Sequence, residues 1–240
     1  MLAKIKHSVS LFLKEKVLKH YLIPFSRTEC EPALVKFLPK KKITYIDVGS
    51  STGEFANSVQ KYFGFRKAVL IDPIPNLEKK IKIDSAKIRF EQCALSNKEK
   101  TQNFYLHKFH YSSSLLKNQE EEILKKQKPR KKVLTIKVKV KTLDKIYDNN
   151  FQNEKIDLLK IDVQGNELKV LQGAKKSLQK INYIFLEISF LRLYKKSATF
   201  FEIDKYLKTK GFYLLSIHEG YRGPHQELLQ GDALYKRKEN

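Results

Sequence analysis

The run Asp47-Val48-Gly49-Ser50-Ser51-Thr52-Gly53-Glu54-Phe55 is the clearest place where residue types and spacing can do chemistry. It follows the β-rich segment Ile43-Thr44-Tyr45-Ile46-Asp47-Val48 and opens a helical one. Glycines at such a junction let the backbone pass close to a ligand at a helix N-terminus. The pattern is Asp-x-Gly-x-x-x-Gly, not the three-glycine pattern of dinucleotide sites. The next β-rich run, Ala68-Val69-Leu70-Ile71, ends in Asp72. A carboxylate about 20 residues beyond the glycines can accept hydrogen bonds from both hydroxyls of a ribose. The combination fits an adenosine with a small charged tail.

The surrounding pattern supplies the elements that must position these groups. Helices are expected at Gly53–Phe63, Pro75–Lys82, Asn166–Gln179 and Phe200–Lys210, the last ended by Gly211. Strands are expected at Ile88–Leu95, Ile156–Ile161, Ile181–Ile188, Phe212–Ile217 and Ala233–Arg237, in addition to the two above. Strands alternating with helices at this spacing imply a parallel sheet with right-handed crossovers. Asn103–His107 and Leu134–Val140 alternate like strands and flank the charged segment Lys117–Lys132, a solvated helix or loop, or a lid. Residues 41–240 read as one α/β domain, and residues 1–40 as a helical extension containing a short helix at Pro32–Leu38.

The composition excludes several classes. The chain has 240 residues, 41% hydrophobic and 11% aromatic, enough for a real core. It lacks an apolar run near the roughly 20 residues of a membrane span. Two cysteines, Cys30 and Cys93, rule out a disulfide framework and a cysteine-rich zinc site, and point to a reducing, cytoplasmic compartment. The net charge is +22, yet only seven of the 48 basic residues are arginine. Bidentate recognition of phosphate or guanine favours arginine, so the charge reflects either an AT-rich coding sequence or an anionic partner such as a phosphorylated glycan, an acidic membrane surface or RNA. Residues 1–22 place Leu2, Ile5, Val9, Phe12, Leu13, Val17 and Tyr21 at helical spacing among lysines. Such a basic amphipathic helix can lie on an anionic membrane, or pack on the domain or on a second copy of the chain in a homo-oligomer.

Several motifs together resemble the FkbM family of class I S-adenosylmethionine-dependent methyltransferases. They are Asp47–Phe55, Ile71-Asp72-Pro73, Cys93-Ala94-Leu95-Ser96, Ser112-Ser113-Ser114-Leu115 and Thr142-Leu143-Asp144. They continue with Leu158-Leu159-Lys160-Ile161-Asp162-Val163-Gln164-Gly165-Asn166-Glu167, then Val170–Ala174, Phe185-Leu186-Glu187-Ile188 and Gln230–Tyr235. The likeness runs from about residue 43 to 237. It departs at Ser50-Ser51, where the family usually has Ala-Asn, and at Gln164, where it often has Glu.

The resemblance implies a Rossmann-like fold with a central, mostly parallel seven-stranded sheet and helices on both faces. It implies methyl transfer from S-adenosylmethionine to a hydroxyl, often of a sugar, in a glycan or glycolipid precursor. Asp47, Gly49, Ser50, Ser51, Gly53, Glu54, Phe55, Asp72, Pro73, Cys93, Ala94, Ser113 and Asp162 would bind that cofactor. Because a sugar hydroxyl is a poor acid, a base or a divalent metal such as Mg²⁺ or Mn²⁺ is expected. Asp162 is the first choice, Glu187 the second, and the two together can hold one metal; His218 is a further candidate base, with His110 behind it. Bland readings stand beside these: Asp162 as a helix N-cap, Glu167 as a capping or surface residue, Glu187 as structural and His218 as a loop residue. Two competing functions remain. One is RNA ribose 2′-O-methylation; the Asp162-Val163-Gln164-Gly165 segment argues against methylation of a base amine, which would call for an Asn/Asp-Pro-Pro-aromatic segment. The other is a non-catalytic membrane or scaffold protein.

Overall fold

The computed structural model describes residues 30–83, 86–107, 110–119, 122 and 133–239. The amphipathic segment 1–22 and most of 117–132 lie outside the described residues.

Helix α1 (Pro32–Phe37) leads into β1 (Ile43–Val48), α2 (Glu54–Phe63) and β2 (Phe65–Ile71). Then come β3 (Ile88–Glu91), β4 (Ala94–Leu95), β5 (Lys100–Leu106), β6 (Leu134–Lys141) and α3 (Leu143–Phe151). The chain finishes with β7 (Ile156–Ile161), α4 (Glu167–Gln172), β8 (Ile181–Ser189), α5 (Phe200–Thr209), β9 (Phe212–Glu219) and β10 (Gln230–Arg237). Seven strands form one sheet in the order β3-β2-β1-β7-β8-β10-β9, parallel except for β10, which is antiparallel to both neighbours. The order reverses between β1 and β7, which creates the crevice where open α/β sheets bind ligands.

Side chains alternate across each strand with a period of two. Ile43, Tyr45, Ala68, Leu70, Leu158, Phe185 and Leu234 pack with Leu34 of α1 and with Ala56, Val59 and Phe63 of α2. Ile46, Val48, Val69, Ile71, Leu159, Ile161, Ile184 and Leu186 face α3, α4 and α5 instead. Helices therefore cover both faces. Residues 33–38 share the first of these cores, so the packed unit begins before residue 41. Among the described residues no helix is long and apolar enough to cross a membrane.

Three expected elements differ. Pro75–Lys82 holds only a 3₁₀ turn at Glu78–Lys80, because Asn76 is left-handed (φ +63°), which a right-handed helix does not accommodate. Ile88–Leu95 is not one strand: the chain leaves the main sheet at Glu91, turns with Cys93 N–H donating to the Glu91 carbonyl at 2.9 Å, and joins a separate sheet β4-β6-β5. Helix α4 stops at Gln172 with Gly173 as its C-cap, a position where a Cβ would overlap the Ser96 carbonyl, and a 3₁₀ turn follows at Ser177–Lys180. Helix α3 has no counterpart in the expected elements; it starts where the Thr142 hydroxyl accepts the Lys145 N–H at 3.2 Å.

Candidate functional site

A cleft of about 1200 Å³ opens at the carboxyl ends of β1, β2, β7 and β8. Phe104 of the small sheet β4-β6-β5 closes one side, together with Ser113 and Leu115 of the segment after β5. One half is built on the turn after β1. Gly49 is left-handed (φ +80°), and a Cβ there would overlap the Asp162 carbonyl, so only glycine lets β1 and β7 end side by side. Asp72 is buried and accepts the Ser51 N–H at 2.9 Å on one oxygen and the Ile74 N–H at 3.0 Å on the other. Burial pushes its carboxyl up to about 6, against the pull of those two N–H groups. Each oxygen keeps a lone pair for a further donor. Among the described residues the Ser50 and Ser51 hydroxyls have no hydrogen-bond partner, which leaves donors for a polar ligand at this wall. Glu54, Phe55, Pro73, Cys93, Ala94 and Ser113 also line the cleft. Cys93 is a buried thiol, its pKa pushed up to about 12 chiefly by burial. This wall suits a nucleoside with a polar tail.

Two expected ligand contacts are absent from the wall. Asp47 is fully buried beneath it and pairs with Lys160 at 3.3 Å. Gly53 is the left-handed residue before α2 (φ +79°) and packs toward Ile81 and Ile83. Asp47 acts through Lys160, a buried ammonium that also donates to the Gly49 carbonyl at 3.1 Å and approaches Asp162 at 3.6 Å. Burial works against this charge, but Asp47 and then Asp162 outweigh it and raise its pKa.

The other half gathers Asp162, Gln164, Glu187, His218, Asp232 and Glu31. Asp232 stands in register with Glu187 on β8 and with His218 on β9, so the three form a row across adjacent strands. Glu31, which caps the start of α1, lies 2.9 Å from His218 Nδ1. That hydrogen bond raises the imidazole above its ordinary 6.5. Burial, then Asp162 and Glu31, push Asp232 up to about 7. Burial, then Asp162, Glu167 and Asp232, hold Glu187 well above the usual carboxylate range. Asp162 does not cap α4, whose N-cap is Asn166. Glu167 is buried and staples the β7–α4 loop by accepting the Val163 and Gly165 N–H groups at 3.1 and 3.0 Å.

The expected metal pair is not arranged for a metal. The Gln164 amide nitrogen lies 2.9 Å from one Asp162 oxygen and 3.2 Å from both Glu187 oxygens. Among the described residues no three His, Cys, Asp or Glu side chains converge as ligands. Asp162 and Glu187 therefore meet through an amide and do not fit a shared cation. Residue 110 begins a 3₁₀ turn, and its side chain lies outside the described residues. Glu31 and Asp232 escaped sequence reasoning as site residues. Glu31 carries only a helix-cap signature before Pro32, and Asp232 is marked only by its place in Gln230-Gly231-Asp232.

Comparison with known proteins agrees with this geometry. The Methyltransferase FkbM domain matches residues 47–214. The fold is similar to the crystal structure of Methyltransferase FkbM from Methylobacillus flagellatus KT, with 16% identity and a TM-score of 0.53. That alignment covers 84% of this chain and 45% of that one, so this chain spans less than half of that protein's length. It is also similar to a Listeria monocytogenes protein assigned as an S-adenosylmethionine-dependent methyltransferase, with 12% identity, a TM-score of 0.53, and coverage of 86% and 97%. No curated protein matches. The family match extends over well more than half of the chain and includes both the turn after β1 and the β7–α4 loop, so the chain belongs to the FkbM methyltransferase family.

Proposed function

We propose that the chain transfers a methyl group from S-adenosylmethionine to a hydroxyl of a saccharide, free or carried on a lipid. The observation that carries this reading is the Glu31–His218 pair at 2.9 Å on the wall of the cleft. A carboxylate at Nδ1 fixes the tautomer and orientation of an imidazole and leaves Nε2 to take a proton. An alcohol needs such a base, whereas the methyl group needs little activation.

When bound, S-adenosylmethionine supplies an electrophilic methyl on a sulfonium and leaves as a neutral thioether. Asp72 would accept the ribose hydroxyls, and Ser50 and Ser51 would contact the polar tail. Asp162 and Glu187 accept hydrogen bonds from the acceptor and orient its oxygen toward the methyl. His218 removes the hydroxyl proton as the new C–O bond forms. Of the candidate bases, Glu187 is the weakest choice, because both of its oxygens already accept the Gln164 amide at 3.2 Å. His218 is the strongest choice, being partly exposed to the cleft and held by a partner.

The acceptor half also weighs against RNA. Its wall carries Glu31, Asp162, Glu187 and Asp232 against Lys160 and Arg222, an excess of acids that disfavours phosphodiesters despite the chain's charge of +22. Carboxylates and amides are suited to neutral hydroxyls. The test is methylation by purified chain of a saccharide panel and of total RNA, with labelled methyl donor and mass spectrometry of products. Labelled saccharide supports the reading; labelled RNA with no labelled saccharide overturns it.

A further inference from the structure

Gln164 is held from every side. Its backbone is left-handed (φ +58°), a conformation uncommon outside glycine. Gly165 follows, also left-handed (φ +98°), and a Cβ there would press on Tyr194 at 2.9 Å. The Ser114 hydroxyl donates to the Gln164 carbonyl at 2.7 Å and fixes the turn. The Tyr194 hydroxyl donates to Oε1 at 2.7 Å, which settles which end of the amide faces the acids. Nε2 therefore points at Asp162 and Glu187, and an amide nitrogen only donates.

Two carboxylates placed this close repel each other unless something positive or hydrogen-bonding lies between them. A divalent cation is one solution, an amide another. A cation bound to both acids would need oxygens about 2.0–2.6 Å from its centre. The amide nitrogen already stands at the meeting point of the same oxygens, so amide and cation exclude each other.

We propose that Gln164 is a positioning residue that takes the place of a divalent cation between Asp162 and Glu187, aligning both carboxylates toward the acceptor and making the transfer independent of bound metal. Its consequence for catalysis rests on the methyl-transfer reading, but its test needs no acceptor. The neutral amide does not cancel the local negative charge, which agrees with the upward shift at Glu187. Gln164→Glu replaces the donor by a third carboxylate and creates an oxygen cage of the kind hard cations prefer.

The experiment titrates Mn²⁺ into the full chain loaded with S-adenosylhomocysteine, followed by calorimetry and by electron paramagnetic resonance of free Mn²⁺. The wild type is expected to leave the ion free up to about millimolar concentrations. Gln164→Glu is expected to bind one equivalent about tenfold or more tighter, and to lose that gain when Glu187→Gln is added. A residue that only supported the loop would not alter cation affinity in this way. Stoichiometric binding by the wild type that vanishes in Glu187→Gln overturns the proposal, and so does a folded Gln164→Glu that binds no better than the wild type. If circular dichroism shows Gln164→Glu unfolded, the wild type against Glu187→Gln decides: no binding supports the proposal, Glu187-dependent binding overturns it.

Discussion

The two halves of the cleft are built on opposite electrostatic plans. In the cofactor half every acid has a donor of its own: Asp47 has Lys160, and Asp72 has two backbone N–H groups. In the acceptor half Asp162 and Glu187 share one amide, Asp162 also nears Lys160, and Asp232 stands beside Glu187 in the sheet register. The first half is a fixed cradle in which each buried carboxylate is held by its own donors. The second is short of positive charge: burial and the neighbouring acids push Asp232 up to about 7, and Glu31 raises His218 above its ordinary 6.5. The difference matches the proposed tasks. A cradle has to bind one ligand in one state, while a site that removes a proton needs groups whose protonation can change.

Lys160 joins the halves, so its removal is the largest single perturbation expected. Lys160→Met leaves Asp47 buried without its counter-charge and should destabilise the chain by about 3–5 kcal/mol, measured by urea unfolding at neutral pH. A loss below about 1 kcal/mol would show that Asp47 does not depend on this ion pair. Next comes His218→Ala. It should lower turnover of an acceptor by about 10²- to 10⁴-fold and leave S-adenosylhomocysteine affinity near that of the wild type. Equal losses in both would mean that the two halves are not separable. The third effect is confined to the cradle: Asp72→Ala should weaken S-adenosylhomocysteine by about 10- to 100-fold in calorimetry. Unchanged affinity would remove the ribose role of this carboxylate.

The same division governs how much was legible in the sequence. The cradle is local in the chain. Gly49, Ser50, Ser51 and Asp72 come from one strand–turn–helix–strand unit, and glycine spacing reports a backbone requirement directly. Asp47 misleads because a strand-end acid reads alike whether it touches a ligand or anchors a buried lysine. The acceptor half is assembled across the whole fold. Glu31 meets His218 from almost the other end of the chain, and Asp232 meets Glu187 and His218 only through antiparallel register. No local pattern encodes such pairings. Gln164 shows a subtler limit. The residue type is visible, but its left-handed turn and the Tyr194 bond that aims its amide exist only once the loop is packed.

The smallest effect is also the most diagnostic. Glu31 raises the pKa of His218, so Glu31→Gln should bring it back toward the ordinary 6.5. If His218 is the base, turnover requires the neutral imidazole, and the rate climbs with pH through the imidazole pKa. The variant's acid limb should therefore lie at lower pH than that of the wild type, while its plateau falls by about tenfold as orientation is lost. Stability has its own sign. A histidine whose folded pKa is raised contributes stability that is fully present below its unfolded pKa and disappears as pH rises through the folded value. The melting temperatures of wild type and Glu31→Gln should differ at about pH 6 and converge at about pH 9, by an amount equivalent to about 1 kcal/mol or less because the imidazole is one-third exposed. A lower plateau with an unmoved acid limb would make Glu31 a support for helix α1 and return the base to Asp162; a moved limb ties the start of the described chain to the proton transfer itself.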